Sequence, residues 1–224
     1  MSELTALLQL ADAAFPAGAF AHSFGLETAI VEGRVRDEAS LTAWLRAYLH
    51  GAFAPLDGAA FVLASRDGID AETLDDRLAA SQPNAELRRA NAHLARATLA
   101  TFDALGLTSA ALARYAEGIA AGRCEGQHVL AAALGYDACG IVWRTALTAH
   151  VTTTVATLAS VAARAAPLGQ RAVAHARWSL RPALDAAVAR AASARGIDDL
   201  ATAAPAIEID GLRHRRLDGR LFAS

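Results

Sequence analysis

The sequence predicts an all-α protein, a single globular bundle of roughly ten helices that ends in an irregular C-terminal tail. Three observations support this prediction. Hydrophobic residues make up 54% of the 224 residues, much of it alanine, the strongest helix former, whereas aromatic residues make up only 6%. Apolar residues recur at spacings of three and four along most of the chain. The one convincing strand pattern, the alternating run AIEID at residues 206–210, is too isolated to build a sheet.

The first helices surround an irregular stretch, DAAFPAGAFAHSFGLE, at residues 12–27. Pro16 and two glycines interrupt the helical pattern there. Ser23 is expected to cap the helix SFGLETAIVEG, with Glu27 in its first turn and Gly33 at its end. The three phenylalanines of this region, at positions 15, 20 and 24, are expected to pack around the break in the pattern.

Three amphipathic helices are predicted in the middle of the chain. The first begins at Asp37 or Ser40 and carries the apolar face of LTAWLRAYL. The other two each carry a long apolar stripe, and they end at Gly106 and Gly122.

Two long helical segments, residues 137–164 and 170–194, flank a tight turn at Pro167–Gly169. The uncharged run 145–163 is long enough to span a bilayer, but its six threonines, one serine and one histidine are poorly suited to lipid. We interpret it as a buried helix of a soluble, cytoplasmic protein with no membrane partner.

The chain divides into an all-helical domain, residues 1–195, and a C-terminal partner-docking tail of the same domain, residues 196–224. The net charge is −2, yet residues 211–224 contain four arginines and one aspartate. A basic tail on an acidic body favours docking on another protein over binding nucleic acid. The tail is expected to be disordered alone and to fold on its partner.

The composition excludes several classes of function. All 21 basic residues are arginine, so neither a Walker A phosphate loop nor a lysine Schiff base is available. Cys124 and Cys139 have neither disulfide-framework nor zinc-knuckle spacing. The N-terminus lacks the basic region of a signal peptide.

Three alternative functions start from local residue patterns. The run AHSFG suggests a serine hydrolase using His22 and Ser23, although a nucleophile elbow needs a preceding strand. The run RHRR at residues 213–216 suggests nucleic-acid contacts, but no aromatic residues are interleaved with it. The seven histidines show no metal-ligand spacing. His22 and His214 are weak metal candidates because they lie in irregular stretches, and a dimer could pair one histidine from each subunit.

Five segments resemble the UreF family of urease accessory proteins. The first, LLQLADAAFPAGAFAHSFGLETAI, is similar to that family's N-terminal signature. ASLTAWLRAYL, NAELRRANAHLARATL and APLGQ resemble its internal segments, and the stretch from Pro205 to Ser224 is similar to its closing motif. The matches occur in order from one end of the chain to the other.

The resemblance implies a non-enzymatic chaperone that forms a homodimer and binds UreD (UreH) and the GTPase UreG. Such a protein gates GTP hydrolysis and assists nickel insertion into urease apoprotein, with nickel in transit and no stably bound cofactor. The implied partner-binding residues are Phe20, His22, Ser23, Gly25, Leu26, Glu27, His214, Arg220, Leu221 and Phe222. We expect Gly25, Leu26 and Glu27 to shape a face for UreG or the apoprotein, and the tail to dock on UreD.

Three positions depart from the family's closing motif. Arg215 and Leu217 stand where an acidic residue and a glutamine are common, and Ala223 replaces an arginine. These departures suggest that the cognate UreD carries a compensating acidic surface.

Overall fold

The computed structural model describes residues 2–12, 14–16 and 22–223, and within these ranges all regular secondary structure is helical. A π-helical segment, Tyr48–Gly58, joins the α-helix Glu38–Ala47 to the α-helix Ala59–Arg66 without a break. The α-helices are α1 (Glu3–Leu10), α2 (Leu26–Val31), α3 (Glu38–Ala47), α4 (Ala59–Arg66), α5 (Ala71–Ala80), α6 (Ala85–Ala104), α7 (Ala110–Ala120), α8 (His128–Ala138), α9 (Trp143–Ala165), α10 (Gln170–Ser179), α11 (Arg181–Ala191) and α12 (Pro205–His214). The predicted all-α class is confirmed.

Local sequence signals place several helix ends correctly. Asp37 begins α3 by accepting the Ser40 N–H at 2.8 Å, while the Ser40 hydroxyl oxygen accepts the Asp37 N–H in return. Gly106 and Gly122 follow the ends of α6 and α7 with φ of +71° and +73°, which glycine adopts without strain.

The core is centred on α4 and α8. All six residues from Ala59 to Ala64 are buried, as are the eight from Val129 to Tyr136, so these two helices are covered on every side. They pack against each other, and α6 and α9 also pack against α8. Alanine at many contacts lets the helix axes approach closely, which explains the composition.

Two helical stretches are long and apolar enough to cross a bilayer by length and composition alone. They are Glu38–Arg66 and Trp143–Ala165, and more than half of the apolar window in each is buried inside the protein. The second contains the run that the sequence predicted to be a buried helix. Core helices of water-soluble proteins have the same character.

The chain after Leu200 is attached to the π-helical segment. Pro55 has no N–H, so the Gly51 carbonyl lacks the donor four residues later that an α-helix would supply. Instead it accepts the Ala203 N–H at 2.7 Å, and the Pro55 carbonyl accepts the Ala201 N–H at 3.2 Å. A Cβ on Gly51 would lie 3.0 Å from the Ala203 oxygen, so glycine permits this close approach.

Three sequence expectations are wrong. AIEID does not form a strand: it lies within α12, whose contact with α2 buries Ile207 and Asp210 on one side. The tail is not irregular throughout, because α12 and the buried ring of Phe222 are part of the folded domain. The segment 170–194 is two helices, α10 and α11, that meet at Leu180.

Gly135→Ala is expected to lower the free energy of unfolding by about 1–3 kcal/mol, because the added Cβ overlaps the buried Phe102 ring. That ring also packs on Phe15 at a centroid distance of 5.6 Å, which restricts its retreat. Urea unfolding measures the difference. Gly169→Ala is the control, since no atom lies within 4 Å of its added Cβ. Equal stability of the two variants would contradict this packing.

Candidate functional site

The site begins at a sharp turn before α2. Phe24 and Gly25 have φ of +53° and +88°, and the Leu26 N–H donates to the Ser23 carbonyl at 3.0 Å. A Cβ on Gly25 would lie 2.9 Å from the Gly211 nitrogen and 3.0 Å from the Ile207 oxygen of α12. Glycine is therefore required both by the backbone conformation and by the proximity of α12.

The N-cap position of α2 is Gly25, so the expected capping role of Ser23 is wrong. The helix starts later than predicted because the left-handed turn occupies the two residues after Ser23. Its end is as expected: the helix ends at Val31 and Gly33 follows with φ of +73°.

Glu27 is a buried carboxylate that connects α2 to the C-terminal segment. Only 2% of the surface of this residue is exposed to solvent. Oε2 lies 2.8 Å from His214 Nε2, and Oε1 accepts the Leu221 N–H at 2.7 Å. Both carboxylate oxygens are therefore satisfied, as burial of a charge requires.

The contacts continue through the ring of His214 to α6. His214 is 0% exposed, and its Nδ1 lies 3.3 Å from Glu86 Oε2. Arg220 Nη1 donates to Glu86 Oε1 at 3.0 Å. Because each ring nitrogen faces a carboxylate, both contacts are hydrogen bonds only when both nitrogens carry a hydrogen. We call the set Glu27, Glu86, His214, Arg220 and Leu221 the terminal junction.

A second ionic contact holds α12 against α2. Asp210 is buried and accepts two hydrogen bonds from Arg34, at 2.8 Å and 2.5 Å. The hydrogen bond to Asp210 raises the pKa of Arg34. The Asp210 carbonyl also accepts the Thr28 hydroxyl at 2.9 Å. Bidentate arginine–carboxylate pairs fix orientation as well as distance, so α12 has one defined position on α2.

The last described residues alternate between surface and core. Leu221 is 66% exposed, whereas Phe222 is buried beneath the Arg164 guanidinium, whose carbon lies 4.5 Å from the ring centroid. The Leu221 N–H fixed by Glu27 and the Phe222 ring together hold this segment on the body of the protein. One apolar side chain is thereby presented to solvent.

The structure brings most of the predicted site residues together, but not as an exposed surface. Arg220 and Leu221 are exposed, and Phe20 lies outside the described residues. The expectation that Gly25, Leu26 and Glu27 form a surface face is corrected, since α12 covers them. The buried predicted residues are His22, Ser23, Gly25, Leu26, Glu27, His214 and Phe222.

Metal binding and serine hydrolysis, two of the alternative functions, find little support in the described part of the chain. No three metal-ligating side chains converge there. Both nitrogens of His214 are occupied by carboxylates, so it is a structural group and not a free ligand. Burial, and then the nearby His93, lower the pKa of His22. Ser23 is 0% exposed, which leaves a hydrolase without an accessible nucleophile.

Sequence reasoning missed Glu86, Arg34 and Asp210. Each is an ordinary charged residue on a helix or its flank, and their partners are 128 or more positions away in the chain. Helical periodicity reports only neighbours three and four residues apart, so it carries no signal for such contacts.

Comparisons with known proteins show the family of the chain. The UreF family model matches residues 35–181. A urease accessory protein UreF from Paenarthrobacter aurescens (strain TC1) is 35% identical, and the alignment covers 98% of this chain and 97% of that protein. The UreF proteins of Arthrobacter sp. (strain FB24) and Corynebacterium glutamicum (strain R) are 36% and 34% identical, over 98% and 97% of this chain and 96% of each relative. These full-length matches include α2 and α12, which lie outside the residues that the family model matches. The chain belongs to the UreF family of urease accessory proteins.

Proposed function

We propose that this protein is a non-enzymatic chaperone and adaptor in the cytoplasm. It acts as a homodimer that binds UreD (UreH) and the GTPase UreG, gates GTP hydrolysis, and assists nickel insertion into urease apoprotein. It holds no stable cofactor, nickel is in transit, and neither nucleic acid nor a membrane is a partner. Family membership supports the accessory role, and the absence of lysine supports placing the nucleotide chemistry on a partner.

The observation that carries the proposal is the terminal junction and the apolar side chains around it. Four large apolar residues are exposed on α2, α12 and the tail, and a partner that covers them removes their side chains from water. They are Val31, Ile209, Leu212 and Leu221. We assign this surface to UreD.

The buried residues of the junction then have a positioning role. Glu27 and Glu86 hold His214, Arg220 and the Leu221 N–H, so α12 and the tail are ordered before a partner arrives. Pre-ordering lowers the conformational entropy lost on binding and so strengthens the complex. The expectation that the tail folds only on its partner is replaced by this preformed arrangement.

Leu221→Asp is expected to abolish retention of the cognate UreD in a co-expression pulldown, because it puts a charge in the proposed apolar contact at the most exposed of the four side chains. The purified complexes are also assayed for UreG, nickel and GTP hydrolysis. Leu105→Asp is the matched control: Leu105 is 59% exposed at the end of α6, away from the junction.

A point variant is preferable to truncation, since ending the chain before Gly211 would also remove His214 from the core. Retention of UreD by Leu221→Asp at the level of the control would contradict the assignment of this surface. Failure of the unmodified protein to retain either UreD or UreG would contradict the adaptor function itself.

A further inference from the structure

Two neighbouring cavities meet at the π-helical segment. The first has a volume of about 100 Å³ and lies between that segment, α6, α8 and α9. The second, of about 80 Å³, lies between the segment, α6 and α12. Four residues line both: Phe24, Tyr48, Asp57 and Asn91. None of the first cavity's described lining residues belongs to the terminal junction, so the proposed docking surface does not account for it.

The carboxyl group of Asp57 is the unusual feature of this region. It accepts no hydrogen bond from the described residues, and no described arginine lines either cavity. Burial raises its pKa to about 7. An ionised carboxylate in such a place is unfavourable unless a cation or hydrogen-bond donors compensate it.

The first cavity supplies the remaining features of a cation site. Thr98 is 2% exposed, and its hydroxyl has no hydrogen-bond partner among the described residues. Burial lowers the pKa of His128 to about 4 and that of His150 to about 3, so both imidazoles are neutral and accept hydrogen bonds at pH 7. Six aromatic rings of the described residues line the walls: Phe15, Phe24, Tyr48, Phe53, Phe102 and Tyr136.

We propose that the first cavity binds a compact monovalent cation of the ammonium type, with Asp57 as its counter-ion. The cation's N–H groups donate to the Asp57 carboxylate, to the Thr98 hydroxyl and to the neutral imidazoles. Aromatic faces attract cations through their negative quadrupole. The volume exceeds that needed for one water several-fold and admits a cation of a few heavy atoms.

Other ligand classes fit less well. No three metal-ligating side chains converge among the described residues, which argues against a divalent metal ion. An anion would meet Asp57, a second carboxylate at Asp12, and aromatic faces. The described lining contains no arginine to compensate it, and burial keeps His128 and His150 neutral at pH 7. A neutral molecule would leave the Asp57 charge uncompensated.

Binding is expected to be coupled to the protonation of Asp57. The titratable groups that line the two cavities are Asp12, Tyr48, Asp57, His128, Tyr136, His150 and Glu208. Of these groups, Asp57 is the one whose pKa burial raises to about 7. The cation therefore competes with a proton for the Asp57 carboxylate as the pH falls below that value. The apparent affinity is therefore expected to be about tenfold lower at pH 6 than at pH 8.

The test is a titration of the full-length protein with methylammonium chloride, followed by NMR shifts of the aromatic side chains at constant ionic strength. We expect saturable binding at pH 8 that is about tenfold weaker at pH 6. Methanol, which has the same number of heavy atoms and no charge, should not saturate. Asp57→Asn should abolish binding, Thr98→Val should weaken it several-fold, and Asp185→Asn on the exposed face of α11 should leave it unchanged.

Three results would overturn the proposal. They are the absence of saturable methylammonium binding at pH 8, equal binding by Asp57→Asn, and tighter binding of Ni²⁺ or Mg²⁺ at the same side chains. Should Asp57→Asn fail to fold, Thr98→Val and the pH dependence of the unmodified protein still decide the matter.

Discussion

Glu27→Ala is expected to release the C-terminal segment and to lower the free energy of unfolding by about 3–5 kcal/mol. The substitution removes the acceptor of the Leu221 N–H and one of the two carboxylates that face the buried His214 ring. A buried polar group left without its partner retains its full desolvation penalty. Urea unfolding measures the loss, and the pulldown with UreD measures its consequence, which is weaker retention of UreD.

The matched control is Glu32→Ala at the other end of α2. Glu32 contacts Arg34 and Arg213, but its side chain is 35% exposed, so its loss should lower the stability by less than about 1 kcal/mol. Glu27→Gln adds a second comparison, because the amide oxygen can still accept the Leu221 N–H while the negative charge is gone. A loss for Glu27→Ala no larger than that for Glu32→Ala would show that the terminal junction contributes little.

Asp57→Asn is expected to stabilise the protein relative to the unmodified chain, and to do so more strongly as the pH rises. Unfolded, Asp57 ionises near 3.8, whereas in the folded protein burial raises its pKa to about 7. The folded state therefore binds the extra proton between these values, and stability is lost as the pH rises through that window. The full difference amounts to at most about 4 kcal/mol above pH 7 and vanishes below pH 4.

Urea unfolding of both proteins at pH 5, 6, 7 and 8, without added organic cation, tests this prediction. The pKa values of His128 and His150 in the folded protein, about 4 and about 3, lie below this pH range. Both imidazoles are therefore neutral in each folded protein, and their contribution cancels in the comparison. A difference between the two proteins that stays constant across this range would mean that Asp57 is ionised in the fold and already compensated. That result would also weaken the case for the cation site.

Local chemistry explains which helices the sequence predicted correctly. The capping box of Asp37 and Ser40 and the glycines after α6 and α7 act over three or four residues, so they can be read without a structure. The π-helical segment could not be predicted, because its stability depends on the tail that pairs with the Gly51 and Pro55 carbonyls.

The mistaken strand in α12 has a physical cause. In AIEID, apolar and acidic residues alternate as in a half-buried strand. Asp210 is nevertheless buried, because Arg34 supplies two hydrogen bonds, and Ile209 is exposed on the surface proposed for UreD. In this run an acidic residue is therefore buried and an apolar residue is exposed, which is the opposite of what the alternating pattern predicts.

The sequence pointed to four of the five residues of the terminal junction, but not to Glu86 and not to their arrangement. The two terminal motifs supplied Glu27, His214, Arg220 and Leu221, but motifs do not report burial. Only the fold shows that Glu27 and His214 lie inside and hold Leu221 at the surface.

Hydrogen exchange at the Leu221 amide of the free, unmodified protein measures whether the terminal junction forms before UreD binds. A preformed terminal junction predicts that this amide exchanges at least about a hundredfold more slowly than in an unstructured peptide, because its N–H is bonded to the buried Glu27 carboxylate. Exchange at the unstructured rate without UreD would contradict the account, since the tail would then be ordered only by its partner.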